Sequence, residues 1–223
     1  MRILAAVLLL ICLLPPPVWA GAWPREKGTG FSAISSTLRR AGPDQPLRYD
    51  TSTYLEYGLT HRFTLGLDIN DDLATSGHVL VFGRVPLSPP DARIKLAFLV
   101  GIGGHRQFDL WQPMYKVGLS MGRDVHTRWG QGWIAVDAAA ELRQGTGQSI
   151  FKLDGTFGVT LSPKWKAMVQ LESYYAANAP FGITLTPSVV FALPENNALV
   201  LGLEFKHNTQ RSIGLKAGFW KSF

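Results

Sequence analysis

Apolar and polar residues alternate one by one along most of this chain, and that period constrains the fold more than any other feature. Successive side chains of a strand point to opposite faces, so a period of two builds a sheet with one apolar and one polar face. From Thr53 to Leu59, the residues Thr53, Leu55, Tyr57 and Leu59 share one face, and Tyr54, Glu56 and Gly58 the other. After Thr60-His61-Arg62, Phe63, Leu65, Leu67 and Ile69 alternate with Thr64, Gly66, Asp68 and Asn70. A tight turn there sets Leu55 opposite Leu67, Tyr57 opposite Leu65 and Tyr54 opposite Asp68.

The pattern recurs to the end. It sets Val81 and Val85 against Arg84, Ile94 to Ile102 against Arg93 and Lys95, and Tyr115 to Met121 against Lys116. It continues with Ile134 to Leu142 against Asp137, Glu141 and Arg143, then Phe151 to Leu161 against Lys152 and Asp154. Trp165 to Leu171 oppose Glu172, Leu199 to Phe205 oppose Glu204 and Lys206, and Ile213 to Phe219 oppose Lys216. With a less regular strand near Gly30 to Leu38, the segmentation gives about twelve strands, within a range of about ten to fourteen, each long enough to cross a bilayer at a tilt.

The first twenty residues read differently. Met1-Arg2, the apolar run Ile3–Leu14, Pro15-Pro16-Pro17 and Val18-Trp19-Ala20 have the layout of a secretory signal cleaved after Ala20. The run is too short for a spanning helix. Residues 1–20 are therefore expected to be removed, leaving 21–223 as one domain. The single Cys, Cys12, lies in that leader, so disulfides, thiol nucleophiles and cysteine metal sites are excluded from the mature chain. The net charge of +6 is scattered, without the Lys/Arg clusters of a nucleic-acid face.

Two all-β architectures alternate this way: a soluble sandwich or barrel, polar side outward, and an up-and-down antiparallel transmembrane barrel, apolar side outward. A soluble surface would be dense in Lys and Glu. Here only 17% of residues are charged, and the polar face is rich in Gly, Ser and Thr. The connections also sort into a short set (Thr60–Arg62, Pro86–Pro90, Ser162–Lys164, Pro194–Asn196) and a longer one (Arg39–Arg48, Asp71–Gly77, His105–Pro113, Gln144–Gln148, Ala176–Pro180). Gly122–Gly132 is long where that scheme wants a short turn. Short turns on one rim and longer loops on the other belong to membrane barrels. Tyr115, Tyr174 and Tyr175 near one rim, and Trp133, Trp165 and Phe63 near the other, fit two interfacial belts.

The chain closes on Gly218-Phe219-Trp220-Lys221-Ser222-Phe223, which resembles the assembly signal of Gram-negative outer-membrane β-barrels. Lys221 stands where that signal usually carries an aromatic or apolar residue. Gly21-Ala22-Trp23-Pro24, Glu56 to Gly66, Gly132 to Ala139 and Lys152 to Gly158 are similar to segments of a poorly characterised proteobacterial outer-membrane β-barrel family. The resemblance implies an outer-membrane location, recognition of Phe219 and Phe223 by the barrel-assembly machinery, and contact with outer-membrane lipid and lipopolysaccharide. It implies no activity.

If the apolar face meets lipid, the lumen-facing candidates are Glu56, Asp68, Asp137, Glu141, Asp154, Glu172 and Glu204 with Arg84, Arg93, Lys95, Lys116, Arg143, Lys152, Lys206 and Lys216. The two signs nearly balance. Such an interior is either a salt-bridged wall, Glu141 opposite Lys152 for example, or a narrow water-filled channel for a small solute or a polysaccharide. A narrow passive pore or an envelope-structural barrel, with a link to surface-polymer export, is the expected function. The alternative is a lipid-hydrolysing barrel enzyme of the lipid A deacylase or phospholipase type, using Ser, His and an acid. His61, His78, His105, His126 and His207 offer no such set in sequence. No catalytic residue, cofactor, metal-ligand spacing or nucleic-acid partner is assigned. The aromatic stretch His105–Met114, with Phe108, Leu110 and Trp111, is expected to be a girdle segment rather than a loop folded into the lumen.

Overall fold

The computed structural model describes residues 21–42, 44–145, 148–177 and 179–223; the expected leader lies outside them. The chain forms twelve strands: β1 Gly30–Arg40, β2 Arg48–Thr60, β3 Phe63–Asp71, β4 Ser76–Pro86, β5 Ile94–Gln107, β6 Leu110–Thr127, β7 Gly130–Arg143, β8 Gln148–Thr160, β9 Trp165–Ala176, β10 Gly182–Leu193, β11 Asn197–His207 and β12 Arg211–Ser222. Each pairs antiparallel with its sequence neighbours, and β1 pairs with β12, so the sheet closes on itself.

The alternation fixes the register, because a slip of one residue would turn every side chain to the wrong face. Leu55 faces Leu67, Tyr57 faces Leu65 and Tyr54 faces Asp68, as the sequence predicts. The apolar face points outward. On β5 alone, Ile94, Leu96, Phe98, Val100 and Ile102 are all exposed, and matching residues continue around the wall. An apolar surface of this extent belongs against lipid rather than water. The other face encloses the interior.

Three connections differ from the sequence reading. Strands β6 and β7 run on to a two-residue turn, Arg128-Trp129, in place of a long connection over 122–132. The stretch 105–113 is likewise strand, with Arg106 opposite Trp111 and only Phe108-Asp109 in the turn. Connections on both rims are therefore short, and the expected contrast in loop length is weak; the longest, 41–47 and 87–93, lie on opposite rims. Ladder hydrogen bonds carry these strands beyond the apolar band, where alternation fades and sequence reads as loop. Two of the expected belt residues also differ. Trp133 is buried inside the barrel and Tyr174 points inward, whereas Tyr115, Tyr175, Trp165 and Phe63 lie on the outer face.

The seam between β1 and β12 ends on Phe223, whose backbone N–H donates to the Gly30 carbonyl at 3.0 Å and whose carbonyl accepts from the Gly30 N–H. A side chain at position 30 would overlap the Phe223 ring as it sits here, so glycine lets that ring lie over the strand. Phe219 sits on the outer face, opposite Ile34 on β1 and Leu199 on β11.

Candidate functional site in the barrel interior

Residues 21–29 precede the first strand and turn back into the barrel through the rim that carries β1's start and β12's end. Ala22 and Trp23 are buried in a cluster with Trp133 and Ala135 of β7, Met168 of β9, Val190 of β10, and Ala198 and Val200 of β11, with Trp220 against it. A side chain at Gly122 would collide with Ala22 and the Trp23 ring; glycine leaves the space they occupy. Farther along, Gly28 N–H donates to the Gly58 carbonyl at 2.8 Å, and Gly58 N–H returns a bond to Thr29 at 2.9 Å. This segment therefore sits inside the lumen near that rim. Nothing in the sequence pointed to it, since nine residues without periodicity carry no strand or helix signal.

Arg25 anchors the segment. Its Nε lies 2.8 Å from Glu56 Oε2, and its backbone N–H donates to Thr64 Oγ1 at 3.3 Å. Glu56 is fully buried, pairs also with Arg84 through Oε1, and accepts from the Tyr54 hydroxyl at 2.7 Å. Arg84 reaches Tyr54 Oη at 3.0 Å and lies over the Phe82 ring. Neither charge would be tolerated here alone, and together they satisfy one another.

A second network lies toward the opposite rim. Buried Glu141 is met by Lys152 at 2.7 Å, Arg143 at 2.8 Å and Lys116 at 3.7 Å, and Lys116 also reaches Asp68 at 3.5 Å. His78 Nε2 is 3.3 Å from Asp68 Oδ1. The register places Lys152 opposite Ala139, not Glu141. The ion pair runs diagonally, because a lysine spans the offset that cross-strand neighbours two residues apart leave. A third network joins Arg39 to Glu204 at 2.8 Å and to Asp50. Sequence reading had left Arg39 and Asp50 out, having placed Arg39 in a loop.

The remaining candidates divide. Asp137 on β7, Asp154 on β8 and Glu172 on β9 are direct cross-strand neighbours in one row. Ser120 Oγ donates to Asp137, and Ser173 N–H donates to Asp154 at 3.2 Å. No lysine or arginine among the described residues forms an ion pair with the three carboxylates. Lys216 lines the same space from β12, and Lys206 is half-buried on the inner face of β11. Lys95 bonds the Pro90 carbonyl at the rim. Arg93 is a correction: Pro89-Pro90 prolong the turn, β5 begins one residue later at Ile94, and Arg93 lies exposed in the connection.

A cavity of about 360 Å³ is left between these groups. Residues from β1 to β9, together with β11 and β12, line it, Tyr54, Arg84, Lys116, Lys152, Glu172 and Lys216 among them. Of the histidines, His61, His126 and His207 are exposed. His105 Nε2 lies 3.0 Å from the Gln144 carbonyl oxygen. His78 has an acid beside it in Asp68, but its Nε2 makes no hydrogen bond to a hydroxyl among the described residues.

No family model and no curated protein matches the sequence. Solved structures do match in shape. The KdgM porin superposes with a TM-score of 0.63 at 11% identity, over 86% of this chain and 99% of that one. KdgM porin in complex with disordered oligogalacturonate gives a TM-score of 0.59 at 13% identity, over 86% of this chain and 99% of that one. An outer-membrane channel from Pseudomonas putida F1 gives 0.61 at 11% identity, over 93% of this chain and 99% of that one. At such identities the likeness is one of architecture: this closed twelve-stranded barrel has a fold similar to that of these outer-membrane porins and channels.

Proposed function

We propose that this chain is an integral protein of a Gram-negative outer membrane, exported through a cleavable leader at residues 1–20, and that it acts as a narrow passive pore. One observation carries the reading: the outer face is an apolar band suited to lipid, while the interior is lined by ionised groups around a cavity of about 360 Å³. Charges on an inner wall are maintained by water and by one another, and a hydrated wall across an apolar slab is a path for solutes. The likeness of the barrel to the KdgM porin and the Pseudomonas channel supports the same reading. So does the resemblance of several segments to proteobacterial outer-membrane barrels. The likeness to porins and channels favours a passive role over a hydrolytic one.

The cargo of such a bore is a small solute or a single polysaccharide strand. With residues 21–29 seated, the remaining space suits a small solute; a polymer such as the oligogalacturonate held by KdgM would need that segment displaced. Single-channel recording of the refolded protein in planar bilayers tests the proposal. Small, stable conductance steps are expected. A silent barrel would overturn the pore and leave an envelope-structural role; a silent barrel that alters lipid A or phospholipid profiles would restore the enzyme alternative.

A further inference from the structure

The row Asp137, Asp154 and Glu172 is electrostatically unfinished. Directly opposed like charges on neighbouring strands repel, and none of the three is in a salt bridge with a lysine or arginine among the described residues; Lys152 acts on Asp154, and Arg84 on Asp137, only from farther away. Yet something is seated there. Gly21 lines the same cavity as the row, next to Asp137: a Cβ on it would lie in ordinary contact with Asp137 Oδ2, at 3.4 Å, and with the Ala135 side chain, at 3.8 Å. Ala22 and Trp23 pin it there, both almost fully buried, and the Arg25–Glu56 pair fixes the segment at the rim.

Gly21 is also the residue that follows the expected cleavage site. Cleavage after Ala20 turns its amide nitrogen into a primary ammonium, a cation with three N–H donors placed beside carboxylate acceptors. We propose that the carboxylate row is a binding site for a primary ammonium group and that its resident ligand is the processed amino terminus of the chain itself. Hydrolysis of the Ala20–Gly21 bond adds water across the peptide and yields a carboxylate on the departing leader and the ammonium on Gly21. The cation then completes the row, and residues 21–24 become a plug tethered at both ends. This inference is independent of whether the barrel conducts.

The test is amine reactivity of the purified, folded barrel, read by mass spectrometry of the amino-terminal peptide. A small acylating reagent modifies only the free-base amine, and an ammonium held by carboxylates stays protonated and shielded. Lys27 is exposed and lies in the same segment, so it serves as the internal standard. The peptide should begin at Gly21. Its α-amine should acylate at least about tenfold more slowly, relative to Lys27, in the folded barrel than in urea, that being the effect of roughly one pK unit of stabilisation of the ammonium form. Asp137→Asn, first shown to fold by heat-modifiable migration on a gel, should recover several-fold of the lost reactivity. A first residue other than Gly21, an α-amine as reactive folded as unfolded, or a folded Asp137→Asn with unchanged protection each overturns the proposal. If Asp137→Asn fails to fold, the comparison is made with Glu172→Gln, and the wild-type protection stands as the primary result.

Discussion

Adjacent residues of one strand face media as different as lipid and water, so neighbouring substitutions should diverge. Leu153 is 56% exposed on the outer wall, and Leu153→Arg should cost roughly 2–4 kcal/mol if it lies near the bilayer midplane. Asp154 points inward between two other carboxylates, so Asp154→Asn removes a repulsion and should change stability by less than about 1 kcal/mol. Urea unfolding of both variants in lipid vesicles checks the contrast; equal losses would contradict the assignment of faces. Leu67→Arg against Asp68→Arg, and Leu203→Arg against Glu204→Arg, are less clean comparisons, because Asp68 pairs with Lys116 and Glu204 with Arg39. Glu56 is the sensitive interior position. Glu56→Ala strands Arg25 and Arg84 and should cost on the order of 3–5 kcal/mol, visible in the same unfolding assay, whereas Arg93→Ala in the exposed connection should be neutral.

At the scale of the element, legibility followed from the signal each segment carries. Strands inside the apolar band were readable residue by residue, register included, because a period of two admits only one inside–outside solution. Strand ends were not, since the ladder continues where side chains no longer need to choose between lipid and lumen. Trp133 could have been placed correctly: it shares its parity with Ala135 and Asp137, and only its aromatic character suggested a belt. The segment 21–29 was unreadable, as its structure depends on cavities left by Gly122 and Gly58 far along the chain. The connection between β3 and β4 offers a pH prediction of its own. Partial burial opposes ionisation of Asp72, but the backbone N–H groups of Ala74, Thr75 and Ser76 and the hydroxyls of Thr75 and Ser76 all donate to it and hold its carboxyl well below the usual range. A depressed folded-state value stabilises the turn above the unfolded carboxylate pKa, near 4, and that contribution fades as pH falls below it. Amide exchange at Ala74 to Ser76 should therefore accelerate on acidification beyond its intrinsic trend, and Asp72→Asn should flatten the response.

For the whole molecule, the closed sheet predicts that the unboiled protein migrates anomalously on a gel and that high salt alone does not extract it from washed membranes. If the barrel conducts, the segment seated in it must limit the current. Trp23→Ala, which removes the largest side chain of the plug while leaving the wall residues in place, should raise single-channel conductance and, because Trp23 is buried in the interior cluster, should also cost on the order of 3–5 kcal/mol in urea unfolding. An unchanged conductance would place the constriction elsewhere, at the ring of Glu141, Lys116 and Lys152. The fold class was legible in the sequence at this scale, but the bore was not, because a strand count does not say what fills the interior.

The hydrogen bonds between Phe223 and Gly30 also have a kinetic meaning. They belong to a ladder joining the first strand to the last, the most non-local pairing the chain can make, and such contacts repay their loop-closure entropy only when everything between them is in place. Until β12 arrives, β1 is an open edge, able to recruit any other strand it meets. The pairing of β1 with β12 is therefore the last step in closing the barrel, and substitutions along that seam should slow assembly far more than they weaken the finished product.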